Sequence, residues 1–339
     1  MKIKVFSEFG RLREVLVHRP GVEVENLTPD LLERLLFDDI PFLRKAREEH
    51  DRFVSLLRSH GVKVLYIEDL ATEVVAADKE TKKQFVEQFI EEAGVDSKYR
   101  KTISDFYYSL SEREMIDAMI GGVDYLTLYK KGLINKLPNK DAYPFLSDPL
   151  PNILFQRDPF ASVGNGITMH AMKAVTRRRE TIFADYVFKY HPRFDNEVKR
   201  YYERDEKNTL EGGDVMVLNK KTLLVGHTER TEMKAIQTVA RNVLGDKESS
   251  FESVYAIEVP KKRAFMHLDT VMTCCDFGVF IVHPTIFDHE DEFKIYKVTG
   301  SETKEINKSL SNFLEDVLGY KPKFIRCGGD SSIAAGREQ

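Results

Sequence analysis

Strand-like and helix-like segments alternate at both ends of this chain but not in its middle, and that interruption restricts the fold more than any single residue does. Residues 13–19 (REVLVHR) read as a buried strand closed by Pro20 and Gly21. Over 40–60 the apolar residues Ile40, Leu43, Ala46, Phe53, Leu56 and Leu57 recur at helical spacing, with Pro41 in the first turn and Gly61 just past the end. Residues 62–67 return as a strand, completing an α/β unit. From about Asp69 to Ser147 the character changes. KKQFVEQFIEEAG, YRKTISDFYYSL and SEREMIDAMIGG are amphipathic helices, the last opened by a Ser111–Glu114 capping box and closed by Gly121. Alternation then resumes, with KKTLLVGH, VYAIEVP and VFIVHP as strands and TEMKAIQTVARNVLG and KEINKSLSNFLEDVLG as helices. The expected organisation is an α/β domain from residues 1–68 and 149–339 carrying an inserted helical domain over 69–148.

Two phrases recur along the α/β part. Val-His-x-Pro or a near copy ends strand-like runs at LVHRP (16–20) and IVHP (281–284), and Gly-Gly-Asp occurs in LEGGD (210–214) and RCGGD (326–330). Spaced echoes of this kind are what repeated αβ units round an axis would leave.

Charge and thiol content narrow the partners. A formal net charge of -4 over 339 residues provides no global basic field for nucleic acid or anionic lipid, so a small-molecule ligand is expected. The first twenty residues carry charges throughout, and no apolar run reaches the ~20 residues of a membrane span; a cytoplasmic location follows as an expectation. Three cysteines, two of them adjacent (Cys274 and Cys275), support neither a disulfide framework nor a Cys-rich metal site.

Three short clusters hold the chemistry-bearing residues. In MHLDT (266–270), read as an extended strand, His267 and Asp269 project to one face while Met266 and Leu268 face the opposite layer. A core histidine bonded to a carboxylate would look the same. LEGGD sets Glu211 before two glycines that permit a tight turn and close backbone approach, or else forms a turn with Asp214 as an N-cap. RDPF (157–160) holds Asp158 extended before a proline, within NILFQRDPFASVGNG, which reads as a loop at a site mouth; a surface Arg–Asp pair is the plainer alternative. Three carboxylates and one histidine share a use if the ligand is planar and cationic, since a guanidinium is bound bidentately and offsets the cost of burying negative charge. A zinc hydrolase fits less well, because no HExxH or close His pair is present. The TRRRE run (176–180) suits the carboxylate of a substrate or a solvated basic stretch.

Taken in order, LLFDDI (35–40), the helical insert, PNILFQRDPFASVGNGITMHAM, RRRETIFADYVFKYHP, LEGGDVMVL, VGHTERT, FMHLDTV and CGGDSSIAAGREQ resemble bacterial arginine deiminase along essentially the whole chain. The insert and the LFDD segment favour that family over dimethylarginine hydrolases, agmatine deiminases and amidinotransferases. The resemblance implies a pseudo-symmetric α/β propeller of ββαβ units, with an inserted helical bundle domain. It further implies hydrolysis of L-arginine to L-citrulline and ammonia without metal or organic cofactor, no nucleic acid or membrane partner, and a homo-oligomer. Asp158 and Asp269 would clamp the guanidinium nitrogens, and Glu211 and His267 would move protons to the departing ammonia and from the hydrolytic water. Arg177 and Arg230 would bind the substrate carboxylate, and Leu36, Asn152 and Phe155 would line the pocket.

The implied mechanism also needs a thiolate to attack the guanidinium carbon, carried by the family in a Gly-rich segment near its C-terminus that has no counterpart here. On an extended strand Cys275 would lie roughly 20 Å from Asp269, and Cys274 has the wrong parity. Cys327 is the remaining geometric substitute, in a segment that matches a different part of the family. The expectation is a truncated chain with an incomplete last unit, which binds its ligand without turnover. A non-catalytic arginine-binding or assembly protein and another guanidine-modifying hydrolase are the alternatives.

Overall fold

The computed structural model describes residues 3–139, 142–194, 198–260, 265–284 and 292–327. Two compact units account for it: a helical unit of Leu12–Gln156 with Ala174–Asn196, and a strand-rich unit of Met1–Arg11, Arg157–Lys173 and Glu197–Gln339. Residues 69–148 fall inside the helical unit together with sequence from both sides of them. The Gly-Gly-Asp echo at 328–330 and the tail through GREQ lie outside the described residues.

In the helical unit, strand β1 (Glu14–Val17) pairs in parallel with β2 (Lys63–Tyr66), from Glu14↔Lys63 to Val17↔Tyr66, across the helix Leu43–Ser59. That helix starts later than its apolar periodicity suggests, because Phe42 is held in extended backbone at φ -75° and ψ 104°. Helices Ile67–Ala77, Lys79–Glu92, Ser97–Tyr108 and Glu112–Gly121 follow. The capping box forms as read: Ser111 N–H donates to Glu114 Oε2 at 3.0 Å and Glu114 N–H to Ser111 Oγ at 3.4 Å. Phe89 is completely buried and meets Tyr107 and Phe183 edge-on, tying this layer to the helix Glu180–Tyr190. A short antiparallel ladder of β3 (Val123–Asp124) and β4 (Phe145–Ser147) completes the unit's sheet structure.

The strand-rich unit repeats one connection. Its strands are β5 (Phe160–Val163), β6 (Gly166–Met169), β7 (Lys199–Tyr202), β8 (Val215–Asn219), β9 (Thr222–His227), β10 (Ser253–Glu258), β11 (Met272–Asp276), β12 (Val279–Val282), β13 (Lys294–Val298), β14 (Thr303–Ile306) and β15 (Lys323–Arg326). Hairpins β5–β6, β8–β9 and β11–β12 are antiparallel, and each second strand pairs in parallel with a later one, β7, β10 and β15 respectively. The chain reaches those partners through Glu180–Tyr190, Met233–Gly245 and, after the added hairpin β13–β14, Leu310–Leu318, so the mixed α/β class is present with the ββαβ repeat, the last copy interrupted by that hairpin. The segment 304–319, expected as one helix, divides: Lys304 to Ile306 belong to β14, and the helix begins at Leu310 behind Ser309, whose Oγ accepts from Asn312 N–H at 3.4 Å. Likewise FASV in the expected loop is strand β5.

The five-stranded sheet β14–β13–β10–β9–β8 is covered on both faces. Val225, Leu223 and Ala256 pack with Ala235, Ile236, Val239 and Val243 of the helix Met233–Gly245. Leu224 and Ile257, on the alternate face, pack with Phe280, Leu310, Phe313 and Leu314. Both faces being dry fixes the register of β8 and β9, and therefore where the turns at their ends stand. Among the described residues no helix is long and apolar enough to cross a membrane.

Candidate functional site

The turn ahead of β8 is where the separate clusters meet. Gly212–Asp214 makes a single 3₁₀ turn, with Leu210 N–H anchored on Ala171 O at 3.1 Å. A Cβ on Gly212 would overlap the Arg157 carbonyl oxygen, and one on Gly213 would stand 2.5 Å from His267 Nδ1. The two glycines thus allow the Arg157–Asp158 backbone and the His267 ring to close on this turn from either side.

Glu211 has no exposed surface, and its Oε2 lies 2.9 Å from His267 Nε2. Its Oε1 accepts the Lys173 N–H at 2.9 Å and lies 3.8 Å from Arg230 Nη1. Burial alone would push the His267 imidazole down, but the bond to Glu211, reinforced by the fields of Asp214, Glu211 and Asp158, raises it to about 9. His267 is therefore an imidazolium at neutral pH, held against a buried carboxylate.

MHLDT is not a strand. His267 is the N-cap of a one-turn helix, Leu268–Val271, with its backbone extended at φ -134° and ψ 168°. Thr270 closes the turn, its Oγ1 donating to His267 O at 2.6 Å. A hydroxyl two residues after Leu268 competes locally for the backbone, which alternation of apolar residues did not register. The helical turn also voids the extended-chain spacing between Asp269 and Cys275. Asp269 is exposed as a residue, yet protein crowding round its carboxyl pushes its pKa up, with the Asp158 charge adding to the rise and His267 opposing it. Asp158 and Asp269 therefore feel one another as like charges.

Asp158 is placed by its backbone. Its carbonyl oxygen accepts from His170 Nδ1 at 2.6 Å and from Gly212 N–H at 3.3 Å. His170 is buried and held down at about 4 by desolvation, so it is a neutral ring protonated on Nδ1, with Nε2 left to pair with Thr168 Oγ1 at 2.8 Å. Arg157 reaches Glu8 at 3.1 Å through both terminal nitrogens and Gly212 O at 3.1 Å, and also bonds Val215 O, lashing β5 to the start of β8. Sequence reading treated RDPF as a possible surface pair and missed His170, Glu8 and Lys173. The His in TMHAM was the available signal.

Asp214, read from sequence as a possible turn cap, is also wholly buried and does cap a helix, though one 54 residues later: its Oδ1 accepts the Leu268 N–H at 2.9 Å. Its Oδ2 accepts from Thr228 Oγ1 at 2.8 Å and Thr231 Oγ1 at 2.5 Å. Burial drives it up to about 7 against the opposing His267 charge and these hydrogen bonds.

The other expected residues belong to the helical unit. Asn152 is buried, its Nδ2 donating to Leu35 O at 2.6 Å, and Phe155 is exposed with its ring 6.4 Å from that of Phe37. Leu36 carries a left-handed backbone, φ 56° and ψ 46°, alone in this among the described non-glycine residues. Arg177 is buried and paired with Glu180 through Nε and Nη2, at 3.1 and 2.9 Å to Oε2. Of the thiols, Cys274 is buried in the Phe280 core and pushed up to about 12 by desolvation, so it is neutral. Cys275 and Cys327 are exposed, the Cys275 Sγ lying 3.5 Å from Val279 O.

The strand-rich unit thus brings together Asp158, Glu211, His267, Asp269 and Arg230. Two carboxylates sensing each other suit a planar cation, and an imidazolium 2.9 Å from a buried carboxylate can give up and regain a proton without losing its place.

A family model described as arginine deiminase matches residues 33–339. An arginine deiminase of Mycoplasma capricolum is 54% identical, covering 100% of this chain and 83% of that protein. One of Clostridium perfringens is 45% identical, covering 99% of this chain and 84% of that protein. Among solved structures, a DDAH from Pseudomonas aeruginosa complexed with citrulline is 15% identical with a TM-score of 0.43, covering 96% of this chain and 94% of that one. An amidinotransferase from Microseira wollei is 14% identical with a TM-score of 0.47, covering 95% and 76%.

Proposed function

The chain belongs to the arginine deiminase family, whose reaction is hydrolysis of L-arginine to L-citrulline and ammonia, and we propose how its residues divide that work. Asp158 and Asp269 clamp the guanidinium, Arg230 takes the substrate carboxylate, and the Glu211–His267 pair handles protons. The observation that carries this assignment is the 2.9 Å contact between a wholly buried Glu211 and a charged His267. In the family's reaction a thiolate adds to the guanidinium carbon; His267, starting as imidazolium, gives its proton to the nitrogen that leaves this adduct as ammonia, and the neutral ring then takes a proton from the water that adds to the amidino carbon, whose collapse to citrulline releases the thiolate. Glu211 keeps the ring in place through both transfers by its 2.9 Å contact with Nε2.

We further propose that none of the three thiols is the nucleophile of that reaction. For Cys274, burial in an apolar core, which keeps the thiol neutral, supports this. The family roles of Leu36, Asn152, Phe155 and Arg177 in substrate binding, the insertion of 69–148 into a propeller, and a homo-oligomeric state are carried as separate proposals, open to single substitutions in binding assays, excision of 69–148, and light scattering.

Calorimetry with L-arginine, agmatine and methylated arginine, beside a citrulline assay, tests the assignment. Selective arginine binding that weakens in Asp158→Ala is expected. No binding of any of the three compounds would overturn it. Citrulline formed by this polypeptide and lost in Cys327→Ala would overturn the statement about the thiols.

A further inference from the structure

We propose that Asp214 is the positioning residue of this site, the buried carboxyl that locks the turn carrying His267 and Asp269, the loop carrying Arg230 and the Glu211 backbone into one arrangement. The inference rests on the assignment of those four residues to arginine.

Each hydrogen bond that Asp214 accepts ends beside one of them. The Leu268 N–H lies between His267 and Asp269 in the chain, so the 2.9 Å bond from it to Asp214 Oδ1 fixes the start of the helical turn that aims both side chains. Thr231 Oγ1, while donating to Oδ2 at 2.5 Å, accepts the Glu211 N–H at 3.1 Å, so the same carboxylate holds the Glu211 backbone through one hydroxyl. Thr228 Oγ1 donates to Oδ2 at 2.8 Å and accepts the N–H groups of Arg230 at 3.1 Å and Thr231 at 3.2 Å, which shapes the loop that presents Arg230. Gly226 leaves the space: a Cβ there would overlap Asp214 Oδ1.

A neutral hydrogen-bonding group would give the same links in part. Above its midpoint near 7 the carboxylate adds a second effect, because its charge raises the buried His267 ring. Glu211 bonds the ring directly at Nε2, whereas Asp214 reaches it through space and through the turn. Asp214 is thus placed to set both the direction and the protonation of a ring it does not bond.

Asp214→Asn keeps the shape and removes the charge, while Thr231→Val keeps the charge and removes one tie. In the folded protein, followed by NMR of the imidazole protons and by calorimetry with L-arginine, Asp214→Asn should make His267 titrate about one pH unit lower and weaken arginine about tenfold. Thr231→Val should weaken arginine about threefold with His267 nearly unmoved. If Asp214→Asn fails to fold, Thr228→Val and Thr231→Val together carry the test, and unchanged arginine affinity in that pair overturns the proposal. A folded Asp214→Asn protein with His267 unmoved overturns it as well. Failure of the wild-type chain to bind arginine would sink the functional assignment alone, since the His267 titration still reads the Asp214 effect.

Discussion

Glu211 Oε2 and His267 Nε2 stand 2.9 Å apart in a setting where Glu211 has no exposed surface and His267 only 5%. Neither group can be changed without the other feeling it. Glu211→Gln removes the charge and leaves a hydrogen-bonding amide, so the His267 midpoint should drop from about 9 toward or below the ordinary imidazole value near 6.5. NMR titration measures this. A midpoint that stays near 9 would show that Asp214 and Asp158 suffice, and that Glu211 is not the ring's main support.

Arginine binding should weaken on the acid side. The Asp269 carboxyl is pushed above its usual range, so it takes up a proton at a pH where an ordinary aspartate is still ionised, and a protonated clamp loses its grip on a guanidinium. Calorimetric affinity should fall as the pH is lowered, beginning at a higher pH than protonation of an ordinary aspartate would give. In Asp269→Asn the affinity should be about 10- to 100-fold lower at neutral pH and much flatter with pH. An equally steep profile in that variant would move the titrating group elsewhere.

His170 is expected to cost stability in mild acid. Its folded pKa is about 4 against 6.5 unfolded, so between those values the unfolded chain binds the extra proton and stability falls as the pH falls. His170→Asn should remove part of that slope in urea denaturation measured from pH 7 to 4. It should also loosen Asp158, whose carbonyl loses a 2.6 Å donor.

The opposite sign holds in the helical unit. His18 is buried between Glu68, 3.0 Å from Nδ1, and Glu23, 3.1 Å from Nε2. Burial pulls the ring down, and the two carboxylates outweigh it and raise it to about 9. The stabilisation is complete below about 6.5 and is lost as the pH rises through 9. His18→Gln should flatten the alkaline decline of the denaturation midpoint; an unchanged decline would exclude this cluster as its source.

Gly212→Ala should be among the most damaging small substitutions, since the added carbon would overlap the Arg157 carbonyl oxygen, which belongs to backbone and cannot rotate away. A loss of about 2–3 kcal/mol or more is expected from overpacking of this kind, read as a drop in thermal midpoint. A midpoint within a degree of wild type would mean that the turn has slack.

What was legible in the sequence was periodic or short-range. The helix Met233–Gly245 and strand β9 stand where their apolar spacing put them, and the Ser111 capping box forms because both partners lie within one turn. The reading of MHLDT failed because a side chain decided it: Thr270 bonding back to His267 makes a helical turn where alternation alone suggests a strand. Lys304 to Ile306 joined β13 rather than the helix that follows because a long-range partner was available, Ile295↔Ile306. Glu211 and His267 were identified as reactive types, but their partnership across 56 residues, and the roles of Asp214 and His170, depend on turns brought together only by the packed sheets.

The repeated hairpin-then-crossover connection has a kinetic side. β8 and β9 close through a tight turn, so their pairing costs little chain entropy, whereas β10 must return over the whole helix Met233–Gly245 before it meets β9. The groups that would grip a ligand sit at the margins of these segments, on turns set by the packed sheets. A ligand that binds there therefore stabilises only chains in which those pairings have closed, and the cost of closing them is met in part by the ligand.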